Sequence, residues 1–184
     1  MDIGVPIRNL GQVDMSALAE KILSYDNSVW REEDIRQKKF NDVHYDTESL
    51  IMIFCDHDNW PNVDVAKGKS WDRLQEAAIP LIHDIIDRHY TPGGTIIRAI
   101  AAKLKAGRHI ATHTDSHPSF HHGHRIHIPI TTNNKVRFMI EGRPQIMKIG
   151  EAYEINNQRR HGVINKGSED RINFIFDYIP IKQS

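Results

Sequence analysis

Cysteine is almost missing: Cys55 is the only one in 184 residues. An internal disulfide needs two, so a disulfide framework is excluded and a reducing compartment fits. No charge sign is in excess. Lys plus Arg and Asp plus Glu number 24 each. The basic surplus that usually carries nucleic-acid binding is therefore absent, and no nucleic-acid partner is expected. No apolar run approaches the about 18 residues of a membrane span. The opening MDIGVPIRNL has no apolar leader core. Repeats and low-complexity segments are also lacking. A cytoplasmic protein without a membrane partner is the resulting expectation. The 39% hydrophobic and 26% charged residues are ordinary for a globular chain. Residues 1–184 suffice for one domain with a real core.

The residues that are present divide the chain unevenly. DMSALAEKILSY reads as a helix with Asp14 as N-cap and Leu18, Ile22 and Leu23 on one side. Residues 26–47 are charged and aperiodic, a loop anchored by Trp30 and Phe40. SLIMIF is a strand candidate. KGKSWDRLQEAAIPLIHDIIDRHY is the clearest helix, with Ser70 able to cap it and an apolar stripe through Leu74, Ala78, Leu81, Ile82 and Ile85. Pro80 predicts a kink or a split.

From Thr95 the pattern becomes short strand-like runs: TIIRAIAAKL, GHRIHIPIT, KVRFMIEG, PQIMKI, EAYEIN, HGVIN and DRINFIFDYI. Such spacing predicts a barrel or jelly roll. The expected fold is mainly β with supporting helices, a double-stranded β-helix of cupin-like type. Residues 1–94 would be mainly helical support with one or more strands, and 95–180 the β core.

Seven of the 12 histidines lie in RHIATHTDSHPSFHHGHRIHIPI, residues 108–130. Alternation in a strand puts residues i and i+2 on one face, so His113 and Asp115 can converge. A distant third ligand would complete a set of two histidines and one carboxylate, which suits ferrous iron. His161, in RRHGVIN, is the best candidate. The histidines of SHPSFHHGH read as a solvated loop. A structural zinc site is the competing metal reading, although such sites usually recruit cysteines or close four ligands. Arg171, Asn173, Ile175 and Asp177 share one face of the last strand. An inward Arg171 needs a carboxylate, either from a ligand or from a neighbouring acid such as Glu169, Asp170 or Asp177. Arg125 and His127 alternate with Ile126, Ile128 and Ile130 and pose the same question.

With these pieces in order, RAIAAKLKAGRHIATHTD, HRIHIPI, KVRFMI, GEAYEINNQRRHGVIN and DRINFIFDY, the chain resembles the aspartyl/asparaginyl β-hydroxylase family. These are Fe(II)- and 2-oxoglutarate-dependent oxygenases, and the likeness is to small members that hydroxylate free proline. The resemblance implies that His113, Asp115 and His161 hold iron. It implies that Arg171, ten residues after His161, pairs with the distal carboxylate of 2-oxoglutarate, and that Arg125 and His127 lie near its other carboxylate. Asn165 fits a family position after the second histidine. Vertebrate-type members have glycine where this chain has Asp115. Ala106-Gly107 replaces the family's usual proline and glycine, and a small hydroxyl residue of some members is replaced near Ala102. The implied activity is hydroxylation of an unactivated C–H bond in an amino acid, free or within a peptide or protein. Two alternatives remain open from sequence: a cupin-like metal protein of other activity, and a non-catalytic β-sandwich binding module.

Overall fold

A computed structural model describes residues 1–32, 45–55 and 60–181. Strand β1 (Ile7–Gln12) precedes helices α1 (Ser16–Leu23) and α2 (Asn27–Trp30). Strands β2 (Thr47–Cys55) and β3 (Val65–Lys67) lead to the long helix α3 (Trp71–His89). Then come β4 (Thr95–Leu104), β5 (His109–His113), β6 (His124–Thr131) and β7 (Val136–Ile140). The chain ends with β8 (Arg143–Gln145), β9 (Glu151–Ile155), β10 (His161–Asn165) and β11 (Arg171–Ile179).

Two antiparallel sheets form. The larger has seven strands in the order β1-β9-β6-β11-β4-β2-β3, and the smaller has four in the order β5-β10-β7-β8. Together with its supporting helices this is the expected mainly β, jelly-roll-like architecture. Alternation along the central strands sorts side chains between two layers. Ile126, Ile128 and Ile130 of β6 and Phe174 and Phe176 of β11 face the helices. There they meet Leu18 and Ile22 of α1 and Leu74, Ala78, Leu81, Ile82 and Ile85 of α3. Burying one such side chain stabilises by about 1.5–3 kcal/mol, so this layer is the main hydrophobic support. The opposite face looks toward the smaller sheet, where Leu104, Phe138, Ile140, Ile155 and Val163 form a second apolar cluster.

Several local expectations change. The N-terminal residues supply β1, an edge strand paired with β9, which the sequence pattern did not suggest. Helix α1 starts at Ser16, and Leu23 is exposed. Asp14 nevertheless accepts from the Ser16 N–H, close to the capping role expected of it. Asp26 caps α2 by accepting from the N–H groups of Ser28 and Val29. Trp30 is the buried anchor of its segment, and Phe40 lies outside the described residues. Ser70 makes no side-chain cap. Pro80 does not split α3, which runs unbroken through it. Pro80 and Glu76 are both exposed, which places the missing hydrogen bond on the helix's solvent side. In PQIMKI only the start is strand, and Ile146 and Ile149 are exposed beyond it. Among the described residues, no helix is long and apolar enough to cross a membrane.

Strands β5 and β10 pair with His113 opposite His161, and the register shifts between His161 and Val163. Gly162 sits at that irregularity. A Cβ there would lie 2.9 Å from the Ile110 carbonyl oxygen and 3.2 Å from the Thr112 Cα. Both are backbone atoms and cannot swing away. Gly162→Ala is expected to cost about 1–3 kcal/mol through overpacking. Chemical denaturation of both proteins checks this; equal stability would show that β5 is free to move outward.

Candidate metal centre

His113 is the last residue of β5 and His161 the first of β10, and the ladder sets them face to face. Their ring centroids lie 4.5 Å apart. Asp115 lies two residues beyond the end of β5, in the following loop, where its N–H donates to the Asn157 carbonyl at 3.3 Å. His113 and Asp115 thus converge as expected, although β5 itself ends at His113 and Asp115 lies beyond the strand. One Asp115 oxygen is 3.7 Å from His113 Nε2 and the other 3.9 Å from His161 Nε2. One ligand atom from each of the three residues lies within 4.8 Å of the others.

The histidine tautomers follow from their second nitrogens. His113 Nδ1 is 2.8 Å from the Ala111 carbonyl and His161 Nδ1 is 2.9 Å from the Arg159 carbonyl. A carbonyl only accepts, so Nδ1 carries the proton and the Nε2 lone pair is left for a metal. Burial pushes the His161 pKa down, which keeps the ring neutral. Two imidazole Nε2 atoms and a carboxylate fit ferrous iron, and the set leaves room for a chelating cosubstrate. No thiolate is near, so the donor set does not resemble a closed structural zinc site.

Arg125 and His127 stand on β6 and face this group. Arg125 Nη1 donates to Asp115 Oδ2 at 2.7 Å, while Nε and Nη2 donate to the two oxygens of Asp177, each at 2.8 Å. Burial alone would lower the Arg125 pKa, but Asp115 and Asp177 outweigh it and hold it above the ordinary value. His127 accepts at Nδ1 from the Asn173 amide at 2.8 Å. Its Nε2 is buried with no protein partner among the described residues. Burial first, then the charges of Arg125 and Arg171, press its pKa well below the usual value. His127 is thus a neutral ring with one unmet N–H.

Arg171 opens β11 and lines the same cleft as His113, Arg125, His127 and His161. It is 5% exposed. Among the described residues no carboxylate meets its guanidinium; its neighbour is the ring of Phe138, 5.9 Å away. None of the acids considered from the sequence, Glu169, Asp170 or Asp177, pairs with it. Burial lowers its pKa to about 10. A buried guanidinium without a partner is costly, and an incoming carboxylate would offset that cost. The residues therefore fit an anionic cosubstrate as well as a metal.

Sequence reasoning missed the supports of this group. Asp177 binds Arg125 and also accepts from Arg98 at 3.1 Å. The only signal was the shared face of Arg171, Asn173 and Asp177. The histidine-rich loop contributes no ligand to the described cluster. His121 and His122 are exposed, and His124 pairs with buried Glu154 instead. Asn165 is not at the metal; its amide donates to the Glu169 carbonyl at 2.8 Å and secures a turn.

The model of the family described as aspartyl/asparaginyl beta-hydroxylase matches residues 14–180. No curated protein matches the chain. Among solved structures, the chain is similar to a prolyl hydroxylase from Trichoplax adhaerens, in complex with a hypoxia inducible factor oxygen degradation domain peptide fragment. That pair has TM-score 0.59 and 10% identity, covering 95% of this chain and 83% of that one. It is also similar to the viral collagen prolyl hydroxylase of Paramecium bursaria Chlorella virus-1 in its 2OG complex, at TM-score 0.55 and 10% identity over 97% and 98%. A 2OG-Fe(II) oxygenase family oxidoreductase from Burkholderia pseudomallei gives TM-score 0.57 and 13% identity over 72% and 67%. At these identities the likeness establishes the fold. The family assignment comes from the sequence match, and the cofactors it brings, Fe(II) and 2-oxoglutarate, are those the donor set and Arg171 fit. This chain belongs to the aspartyl/asparaginyl β-hydroxylase family and is an enzyme of the hydroxylase class.

Proposed function

We propose that the protein is an Fe(II)- and 2-oxoglutarate-dependent dioxygenase that hydroxylates an unactivated C–H bond of an amino acid, free or within a peptide or protein. The observation that carries this reading is Arg171: a buried guanidinium without a carboxylate partner among the described residues, in the cleft that also holds the His113, Asp115 and His161 donors. A metal protein without an acidic cosubstrate has no use for it, and a binding module has no need of three converging ligands.

His113, Asp115 and His161 would hold the iron. Arg171 would clamp the distal carboxylate of 2-oxoglutarate and fix its orientation. His127 would donate its Nε2–H to the nearer carboxylate. Arg125 has three of five N–H donors engaged by Asp115 and Asp177, and the other two could assist His127. When bound, iron and 2-oxoglutarate supply the oxidising chemistry; the protein supplies position, charge and exclusion of water. Ala102, Ile110 and Ile175 line the cleft, and Ile51 and Ile100 extend that apolar wall. Such a wall supports an aliphatic substrate group. The two prolyl hydroxylase neighbours support the same class.

Anaerobic Fe(II) titration with 2-oxoglutarate is expected to give a metal-to-ligand charge-transfer band, and turnover should release succinate over a panel of aliphatic amino acids and peptides. Absence of the band in the intact protein sinks the reading. Asp115→Ala should abolish tight iron binding. Arg171→Met should raise the 2-oxoglutarate requirement about 10–100-fold, the loss of a charge-assisted hydrogen bond, while leaving metal affinity nearly unchanged. Full turnover by Asp115→Ala would mean that the two histidines suffice.

His127 adds a pH dependence to the metal-free protein. Its folded pKa lies well below the ordinary histidine value of about 6.5, so below that pH the unfolded chain takes up a proton that the folded one refuses. Stability contributed by the neutral ring is present above about 6.5 and falls as pH drops, by up to about 1.4 kcal/mol per pH unit. Denaturation of the metal-free protein at several pH values should show a shallower slope for His127→Gln. An identical slope would mean that the ring titrates normally.

A further inference from the structure

The loop between β5 and β6 holds most of the surplus histidines; His117 caps its short turn through Ser119, while other residues of the loop reach the buried arginines. Within it, Pro118–His121 forms a short 3-10 turn. Ser119 is fully buried and accepts at Oγ from Arg98 Nη2 at 2.8 Å. The Phe120 ring centroid lies 4.3 Å from the guanidinium carbon of Arg98 and 4.4 Å from that of Arg125. Both distances are within cation–π range. Asp177 joins the same two arginines from the other strand.

A chain of contacts results, from Ser119 through Arg98, Asp177 and Arg125 to Asp115. Its geometry has a direction. Nε and Nη2 of Arg125 grip the two oxygens of Asp177 as a fork, and a planar fork held at two points fixes where the third nitrogen aims. That third nitrogen, Nη1, holds Asp115 Oδ2 at 2.7 Å. The carboxylate, carried on a loop without strand pairing, gains a defined rotation from it.

We propose that Asp177 and Phe120 are positioning residues for the metal ligand Asp115, both acting through Arg125. The histidine-rich loop then serves the metal centre chiefly by Phe120, and by Ser119, which His117 Nδ1 meets at 2.8 Å. This rests on the reading of His113, Asp115 and His161 as the iron site. Removing an outer partner of a metal ligand commonly weakens metal affinity about 10–100-fold.

The test uses Co(II) as the probe in the full chain, reading affinity and the visible d–d spectrum. Asp177→Asn removes the charge and one acceptor of the fork, and is expected to weaken Co(II) binding about 10–100-fold. That variant could fail to fold, because it leaves two buried arginines short of charge. Phe120→Leu therefore serves as the second variant, since it keeps an apolar side chain and removes the aromatic face. It should weaken Co(II) about tenfold and shift the d–d bands, with far-UV circular dichroism unchanged. Phe120→Tyr restores the aromatic face and should return both readings to those of the unmodified protein. His122→Ala, on the exposed side of the same loop, should change neither. Phe120→Leu with unaltered affinity and spectrum overturns the inference, as does an equal loss in His122→Ala. No Co(II) binding by the unmodified protein would sink the iron site itself; binding that ignores Phe120 and Asp177 sinks only this inference.

Discussion

Four charged side chains are joined in sequence between the sheets: Arg98, Asp177, Arg125 and Asp115. Each alone would be costly there, since an ion taken out of water loses several kcal/mol of hydration. Two cations and two anions joined in sequence meet that cost together. Removing one member leaves an uncompensated charge, typically a loss of about 3–5 kcal/mol. Burial would raise the Asp177 carboxyl, yet Arg125 and Arg98 hold it below its ordinary value. The set is also a register device. Arg98, Asp177 and Arg125 are direct cross-strand partners on β4, β11 and β6. A slip of one residue would turn these charges into the apolar layer beneath the helices.

The remaining rows of the same face follow that register. Ile100, Ile175 and His127 form the next row, and Ala102, Asn173 and Pro129 the one after. Leu104 and Arg171 end the series. The inner face thus runs from a charged row beside the candidate metal ligands, through an apolar and amide stretch, to a cation without a carboxylate partner among the described residues. The outer face of the same strands is nearly all hydrocarbon and rests on α1 and α3. Stability and site chemistry are divided between the two sides of three strands.

That division was largely legible in the sequence. Alternation in HRIHIPI and DRINFIFDY showed which residues share a face, and the long apolar stripe marked α3. The family motifs located His113, His161 and Arg171. What was not legible depends on contacts between distant segments. Nothing local shows that Asp177 grips Arg125, or that Phe120 lies against two arginines. The i, i+2 spacing of His113 and Asp115 was legible, but not that β5 ends at His113 and leaves Asp115 in the following loop. Of the two outcomes expected at Pro80, the split does not occur, since α3 continues through it. Edge strand β1 has weak alternation of its own and is defined by its partner β9.

Arg125 and Arg171 show the limit of reading residue type alone. The family pattern gives both a cosubstrate role, and both lie on the inner face. Arg125 is satisfied by two protein carboxylates, so its first task is internal: it holds Asp115 and locks the sheet. Arg171 has the Phe138 ring beside it and no carboxylate partner among the described residues, and burial draws its pKa down to about 10. A buried cation without a carboxylate partner among the described residues is the feature on which the proposed cosubstrate role rests: in that reading a carboxylate entering beside the candidate metal ligands supplies the missing charge.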